Sequence, residues 1–219
     1  MTGRLHAALT AARWLGTREG SPEHREILAA YNAIKPLPRG YTLGEKDPWC
    51  AGFVSAAAVM AGEGARYPLE CSCSRIVERA KEMGIWVEDD GRVPRIGDWV
   101  LYDWQAKEDG DCVGAPDHVG IVIGTEGASL LVAEGNYENQ VKLRKIPVNY
   151  GKIRGFVCPE WPEEMPVRFR TLSEIPEFAR GTIEKLIADG SLCGVRENDL
   201  GLSAEMIRIL VILDRRGRL

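Results

Sequence analysis

The sequence has no uncharged run long enough to cross a bilayer. The longest, Pro48 to Gly62, holds 15 residues and is rich in alanine and glycine. It has no basic stripe or Lys/Arg run, and a net charge of −4 argues against a nucleic-acid partner. No apolar h-region follows Met1-Thr2-Gly3-Arg4-Leu5-His6, so no signal peptide is expected. Histidine is scarce, with only His6, His24 and His118, which leaves few candidates for a general base. The six cysteines (Cys50, Cys71, Cys73, Cys112, Cys158 and Cys193) are too sparse for a disulfide scaffold. Cys71-Ser72-Cys73 is not a CxxC, and no second pair stands at zinc-finger spacing. Reduced, mostly structural thiols are expected, with no metal and no cofactor.

What is present reads as an ordinary globular chain. At 45% hydrophobic and 27% charged, its 219 residues suit one medium domain and a small second one. Leu5, Ala8, Leu9, Ala12 and Leu15 recur at helical spacing up to Gly16. A second helix is marked by Ser21 as N-cap, Pro22 at the first helical position and Glu23 at the positive end. Its stripe is Ile27, Leu28, Tyr31 and Ile34, and Pro36 and Pro38 stop it. His24 lies off that stripe and is expected at the surface. A further amphipathic helix faces Ile76, Val77, Ala80 and Met83 one way, with Cys73 one turn earlier in a packing role.

From there the period changes from 3.6 to 2. Strands are predicted over 99–104, 118–123, 129–134, 141–146 and 153–157. Helices first and consecutive strands second indicate an α+β domain with an antiparallel sheet. The polar loop Gln105 to Asp117 carries Glu108-Asp109-Gly110-Asp111, enough charge to attract calcium, but it lacks the ligand order of an EF-hand. Pro159, Pro162 and Pro166 with Glu160, Glu163 and Glu164 read as a stiff linker. The boundaries are thus 1–158 for the main domain, 159–170 for the linker and 171–219 for a small helical module. In that module Ile175, Phe178, Ala179, Ile183, Leu186 and Ile187 make one apolar stripe. Ser203 caps a second helix carrying Met206, Ile207, Leu210, Val211 and Leu213.

The chemistry centres on Cys50. Asp47-Pro48 turns into a run of small and apolar residues, a buried helix with Cys50 in its first turn. There, unpaired N–H groups and the helix dipole stabilise a thiolate, although a buried cysteine is more commonly inert packing. His118 opens an apolar strand after a polar loop, placed to be a base or merely satisfied at a strand edge. Glu134 and Asn136 lie two apart, so in an extended segment both point to one face. In a strand built of Leu130, Leu131, Val132 and Ala133 they need partners, unless Glu134 is a solvated strand end. A Cys–His pair steered by Glu or Asn is a working arrangement for thiol acyl transfer.

Trp49-Cys50-Ala51-Gly52-Phe53-Val54, Gly97-Asp98, Asp117-His118-Val119-Gly120-Ile121-Val122 and Glu134-Gly135-Asn136 together resemble a CHAP-type domain. These are papain-like, NlpC-related peptidoglycan amidases and endopeptidases, common in phage lysins and bacterial autolysins. The lead-in Ala12-Arg13-Trp14-Leu15-Gly16 with Glu19-Gly20-Ser21 is similar to the phage and prophage branch, and the likeness covers roughly residues 10–158. The resemblance implies a papain-like cysteine hydrolase fold, with N-terminal helices packed on the antiparallel sheet. It implies Cys50 as nucleophile, His118 as base, Glu134 as orienting residue and Asn136 as an auxiliary group near the oxyanion or imidazole. It also implies peptidoglycan as substrate, and action at the cell wall after phage-type release from the cytoplasm. Leu172–Ala179, Ile183–Gly190 and Leu202–Arg208 resemble one divergent S-layer-homology repeat, which implies wall-polymer binding by 171–219; the alternative reading is an element that docks on the first domain or pairs with a second copy.

The expected function is therefore hydrolysis of a wall-peptide amide through a thioester. The alternatives are a transferase using the same thioester and an inactive wall-binding or phage-structural module. A glycosidase is a weaker rival, because Glu134 has no obvious second carboxylate at the separation such enzymes need.

Overall fold

The computed structural model describes residues 3–89, 91–105, 114–161, 168–194 and 199–219. The acidic stretch considered for calcium and half of the Pro/Glu linker lie outside the described residues. The chain divides into two compact units, Met1–Trp161 and Pro162–Leu219. The first unit is α+β, as the change of period predicts.

Its helices are α1 (Gly3–Arg13), α2 (Pro22–Asn32), α3 (Cys50–Met60) and α4 (Cys73–Glu82). The strands are β1 (Trp86–Val87), β2 (Trp99–Tyr102), β3 (His118–Glu126), β4 (Ser129–Tyr137), β5 (Gln140–Pro147) and β6 (Ile153–Val157). They form one antiparallel sheet in the order β1-β6-β2-β3-β4-β5. β3, β4 and β5 are a meander of consecutive neighbours, and β1 is a short edge strand too brief to leave a pattern in the sequence.

The N-terminal signals of α2 act as read. Ser21 Oγ accepts from the His24 N–H at 3.2 Å, and Pro22 occupies the first turn. α3 is buried on every side from Cys50 to Ala58, which its small residues allow. A Cβ at Gly52 would lie 2.3 Å from Leu43 Cδ1, so glycine lets that segment close over the helix. α1, α2, β3 and β4 all pack against α3, which makes it the centre of the unit. A second apolar cluster unites Val100, Tyr102, Leu130, Val132, Ile146, Ile153 and Phe156 across the strands.

His24 corrects an expectation. It is fully buried, with its ring 4.6 Å from that of Trp49 and its Nδ1 accepting the Gly20 N–H at 3.0 Å. Burial lowers its pKa, so it is a neutral packing residue beneath Trp49. The stripe was too narrow a guide because the aromatic next to Cys50 covers a second side of α2.

The second unit holds β7 (Arg168–Phe169), α5 (Glu177–Ala188), β8 (Leu202–Ser203) and α6 (Ala204–Arg215), with β7 and β8 paired antiparallel. Ser203 Oγ caps α6 by accepting from the Met206 N–H at 3.2 Å. Ile175, Ala179, Ile183, Leu202, Ile207 and Val211 form its core. Thr182 Oγ1 donates to Asp214 at 2.9 Å, tying the two helices. Phe178 and Ile187, expected on the inner stripe, are 53% and 39% exposed. The inner face of α5 runs instead through Ala179, Thr182, Ile183 and Leu186. The β7–β8 ribbon is an addition to the expected all-helical module; two-residue strands carry no alternation to read.

Candidate active site

The site gathers at one end of the sheet. Tyr102 is the last residue of β2, His118 the first of β3, and the two are paired across the strands. Glu134 lies near the end of β4, where the register with β5 shifts between Glu134 and Tyr137. The first turn of α3 arrives at the same place. A Cβ at Gly135 would fall 2.5 Å from Phe53 Cβ and 2.9 Å from Trp49 Cζ3, so β4 runs directly against that turn. Alternation then sends Glu134 to the other side of β4. There a Cβ at Gly120 would lie 2.7 Å from Glu134 Cγ and 2.5 Å from Val132 Cγ1. Gly120 thus leaves the room that the Glu134 side chain fills.

Glu134 is fully buried, yet its carboxylate is well supplied with donors. His118 Nε2 is 3.0 Å from Glu134 Oε2. Arg144 Nε reaches Oε1 at 2.8 Å and Oε2 at 2.9 Å. Such charge-assisted bonds offset the cost of burying the carboxylate. The Arg144 guanidinium carbon sits 3.9 Å from the Tyr137 ring centroid and 4.8 Å from that of Trp104. This aromatic clamp fixes the arginine where it meets Glu134. Trp104 and Tyr102, 4.7 Å apart and nearly parallel, also flank the His118 ring at 6.2 and 5.9 Å.

With Nε2 committed to Glu134, Nδ1 is the nitrogen left to face Cys50. The Cys50 thiol and the imidazole each stabilise the charged form of the other, which favours the thiolate–imidazolium form. Cys50 is held well below the ordinary thiol pKa. The largest cause is a hydrogen bond from Cys73; burial opposes it, and His118 and the Ala51 N–H add to the lowering. The Cys50 and Cys73 sulfurs are 3.9 Å apart, and the Cys73 thiol is pushed well above its usual range by that bond, by burial and by the neighbouring negative charge. Burial alone would lower His118, but Cys50 and Glu134 together raise it to about 9. Both shifts run in the same sense, toward a thiolate beside an imidazolium. The first N–H groups of α3 carry no side-chain cap, which leaves them directed at the space in front of Cys50.

Of the residues singled out in the sequence, Cys50, His118 and Glu134 come together. Asn136 adopts a left-handed conformation with φ 56°, and among the described residues its side chain has no hydrogen-bond partner. The same-face argument for Glu134 and Asn136 required extended backbone through both, and the irregularity between β4 and β5 removes that condition. Gly97 and Asp98 hold a turn: Gly97 N–H donates to Val122 O at 2.8 Å, and Asp98 Oδ2 accepts from Arg95 N–H at 2.8 Å. Gly97 has φ +93°, and a Cβ there would lie 2.7 Å from Arg4 O.

Sequence reasoning missed Arg144, Trp104 and Cys73 as parts of this site. Arg144 left a faint trace, being one of three cations in a strand beside the one holding a buried carboxylate. Cys73 left none, since only tertiary packing brings α4 to the start of α3. Among the described residues no group of three or more His, Cys, Asp or Glu side chains forms a metal site, and no helix is long and apolar enough to cross a membrane. No family model matches the chain, and no curated protein or solved structure matches it.

Proposed function

We propose that the protein is a cysteine-dependent hydrolase of the papain-like, CHAP type that cuts an amide bond in the peptide part of peptidoglycan. The observation that carries the enzyme class is the chain from Cys50 through His118 to Glu134, with the 3.0 Å contact between imidazole and carboxylate. The CHAP-like motifs around those three residues carry the substrate class.

In this reading the Cys50 thiolate attacks the scissile carbonyl carbon. The carbonyl oxygen, now carrying the negative charge, is held by N–H groups at the start of α3. The protonated His118 delivers its proton to the departing amine, leaving an acyl thioester on Cys50. His118, now neutral, takes a proton from water as it attacks the thioester, and the acid product leaves with Cys50 again a thiolate. Glu134 keeps the imidazole oriented and stabilises its charged form. The residues at 171–219 would serve wall attachment or self-association, and the site of action would be the bacterial wall after phage-type release.

Mass spectrometry of fragments released from purified walls tests this directly. Wild type should release peptides bearing one new amine and one new carboxylate, with no new reducing sugar end. Cys50→Ala should release none. Release by Cys50→Ala equal to that of wild type removes the mechanism, and a new reducing end points to a glycosidase instead.

A further inference from the structure

Cys50 opens α3 and Cys73 opens α4, and their sulfurs are already in contact at 3.9 Å. The two residues are 7% and 8% exposed, so the pair lies at the buried mouths of the two helices. The neighbouring Cys71 is engaged elsewhere, its Sγ 2.9 Å from Arg39 Nη2. Cys158 lies beside Asp98, and Cys193 donates to Gly190 O at 3.7 Å in the second unit. Among the described cysteines, Cys73 alone touches the sulfur of Cys50.

A disulfide has a sulfur separation of about 2.05 Å. From 3.9 Å the two sulfurs, each at the start of its own helix, need to approach by about 2 Å to bond. The positive end of α3 favours the Cys50 thiolate, the nucleophile that attacks an oxidant first. A thiolate with a protonated thiol in contact is the arrangement in which a first oxidation product is trapped before it goes further.

We propose that Cys50 and Cys73 are a reversible dithiol–disulfide pair that responds to hydroperoxides. The Cys50 thiolate attacks one oxygen of hydrogen peroxide; the O–O bond breaks, an S–O bond forms, hydroxide leaves, and Cys50 becomes a sulfenic acid. Cys73 sulfur then attacks Cys50 sulfur. The S–S bond forms, the S–O bond breaks, and the oxygen departs as water with the Cys73 proton. Reduction by two equivalents of thiol restores both cysteines. The oxidation stands on the geometry alone. Its consequence, a wall hydrolase silenced by peroxide and rescued by thiols, rests on the function proposed above.

The experiment uses the full chain, treated with hydrogen peroxide, blocked with N-ethylmaleimide and digested without reduction for peptide mapping. Wild type should yield one cross-linked pair containing Cys50 and Cys73, and dithiothreitol should restore labelling at both. Cys73→Ser should lose the cross-link and carry Cys50 on to sulfinic or sulfonic acid that dithiothreitol does not recover. Overturning results are a wild type in which Cys50 reaches sulfinic acid as readily as in Cys73→Ser, or one in which Cys50 pairs with a different cysteine or with none. Circular dichroism checks that the variant folds, with Cys73→Ala as a second version; the wild-type map decides the matter even if neither folds. Failure of the reduced protein to cut walls would strike the hydrolase reading and leave this map untouched.

Discussion

Arg144 Nε donates to both carboxylate oxygens of Glu134, at 2.8 and 2.9 Å, while the rings of Tyr137 and Trp104 lie 3.9 and 4.8 Å from its guanidinium carbon. Glu134 has no contact with solvent, so Arg144 is its principal counter-charge. Arg144→Ala leaves a buried carboxylate balanced only by His118, and the cost should be about 3–5 kcal/mol of stability. Arg144→Lys keeps the charge but loses the planar fork and the stacking, so it should recover only part of that loss. Urea unfolding of the three proteins measures both effects. Equal stability of Arg144→Ala and wild type would mean that the clamp does not support the carboxylate.

In the proposed mechanism Glu134 acts on the reaction through His118. Glu134→Gln keeps the shape and removes the charge that helps hold the imidazolium. Amide hydrolysis should fall by about a hundredfold, within the range that positioned acid–base groups contribute. A structural defect alone would give the same loss of rate, so the discriminating readout is the pH profile. Without the carboxylate, the alkaline limb should move from about 9 towards the ordinary histidine value. A reduced rate with an unmoved limb would show that Glu134 supports the fold but does not tune the base.

The wild-type pH profile has a definite sign. In the proposed mechanism His118 must be protonated to serve the leaving amine, and its pKa is raised to about 9. Activity should therefore persist through neutrality and decline as the pH passes about 9. Cys50 must be ionised, and its pKa is held well below the ordinary thiol range, so the acid limb lies far under that of a free cysteine. Alkylation by iodoacetamide reads the thiolate without any substrate. Cys50 should react at lower pH than a free thiol does, and the difference should shrink in His118→Ala and shrink further in Cys73→Ala.

Asp98 offers a stability test away from the chemistry. It is buried, and desolvation raises its pKa to about 6, against partial relief from the Arg95 N–H and nearby cations. The folded state therefore holds its proton more tightly than the unfolded state, where the value is 3.8. Stability from this group is complete below the unfolded value, falls as the pH rises from about 4 to about 6, and is level above. The whole effect is about 3 kcal/mol at 1.36 kcal/mol per pKa unit. Asp98→Asn should flatten that part of the stability–pH curve, and an unchanged slope would show that Asp98 does not titrate in it.

Local order along the chain was legible to different depths. Ser21, Pro22 and Ser203 announce helix starts because capping is a matter of a few adjacent residues, and each acts where it stands. The sheet could be read from period-2 runs because β3, β4 and β5 are long and pair with their sequence neighbours. Cys50, His118 and Glu134 could be nominated by residue type and by their places at element ends. Arg144 and Cys73 could not, because their roles depend on strand register and on one helix mouth meeting another. The same-face argument for Asn136 met a related limit: alternation assumes extended backbone, and a left-handed residue breaks the count.

Gly120 is the least conspicuous residue that the site depends on. It sits in β3 two residues after His118, where sequence alone suggests only a weak point in a strand. An added Cβ would meet Val132 Cγ1 at 2.5 Å, Glu134 Cγ at 2.7 Å and Ala133 O at 3.0 Å. The first two are side chains that could shift, but the third is backbone of the paired strand, so relief requires β4 to move. Gly120→Ala should cost about 1–3 kcal/mol through overpacking. Because the displaced atom is Glu134 Cγ, the variant should also loosen the hold on His118. Its alkaline limb should shift downward in the same direction as that of Glu134→Gln, and by less. Stability lost with the limb unmoved would mean that the strand yields without disturbing the carboxylate, and Gly120 would then serve packing alone.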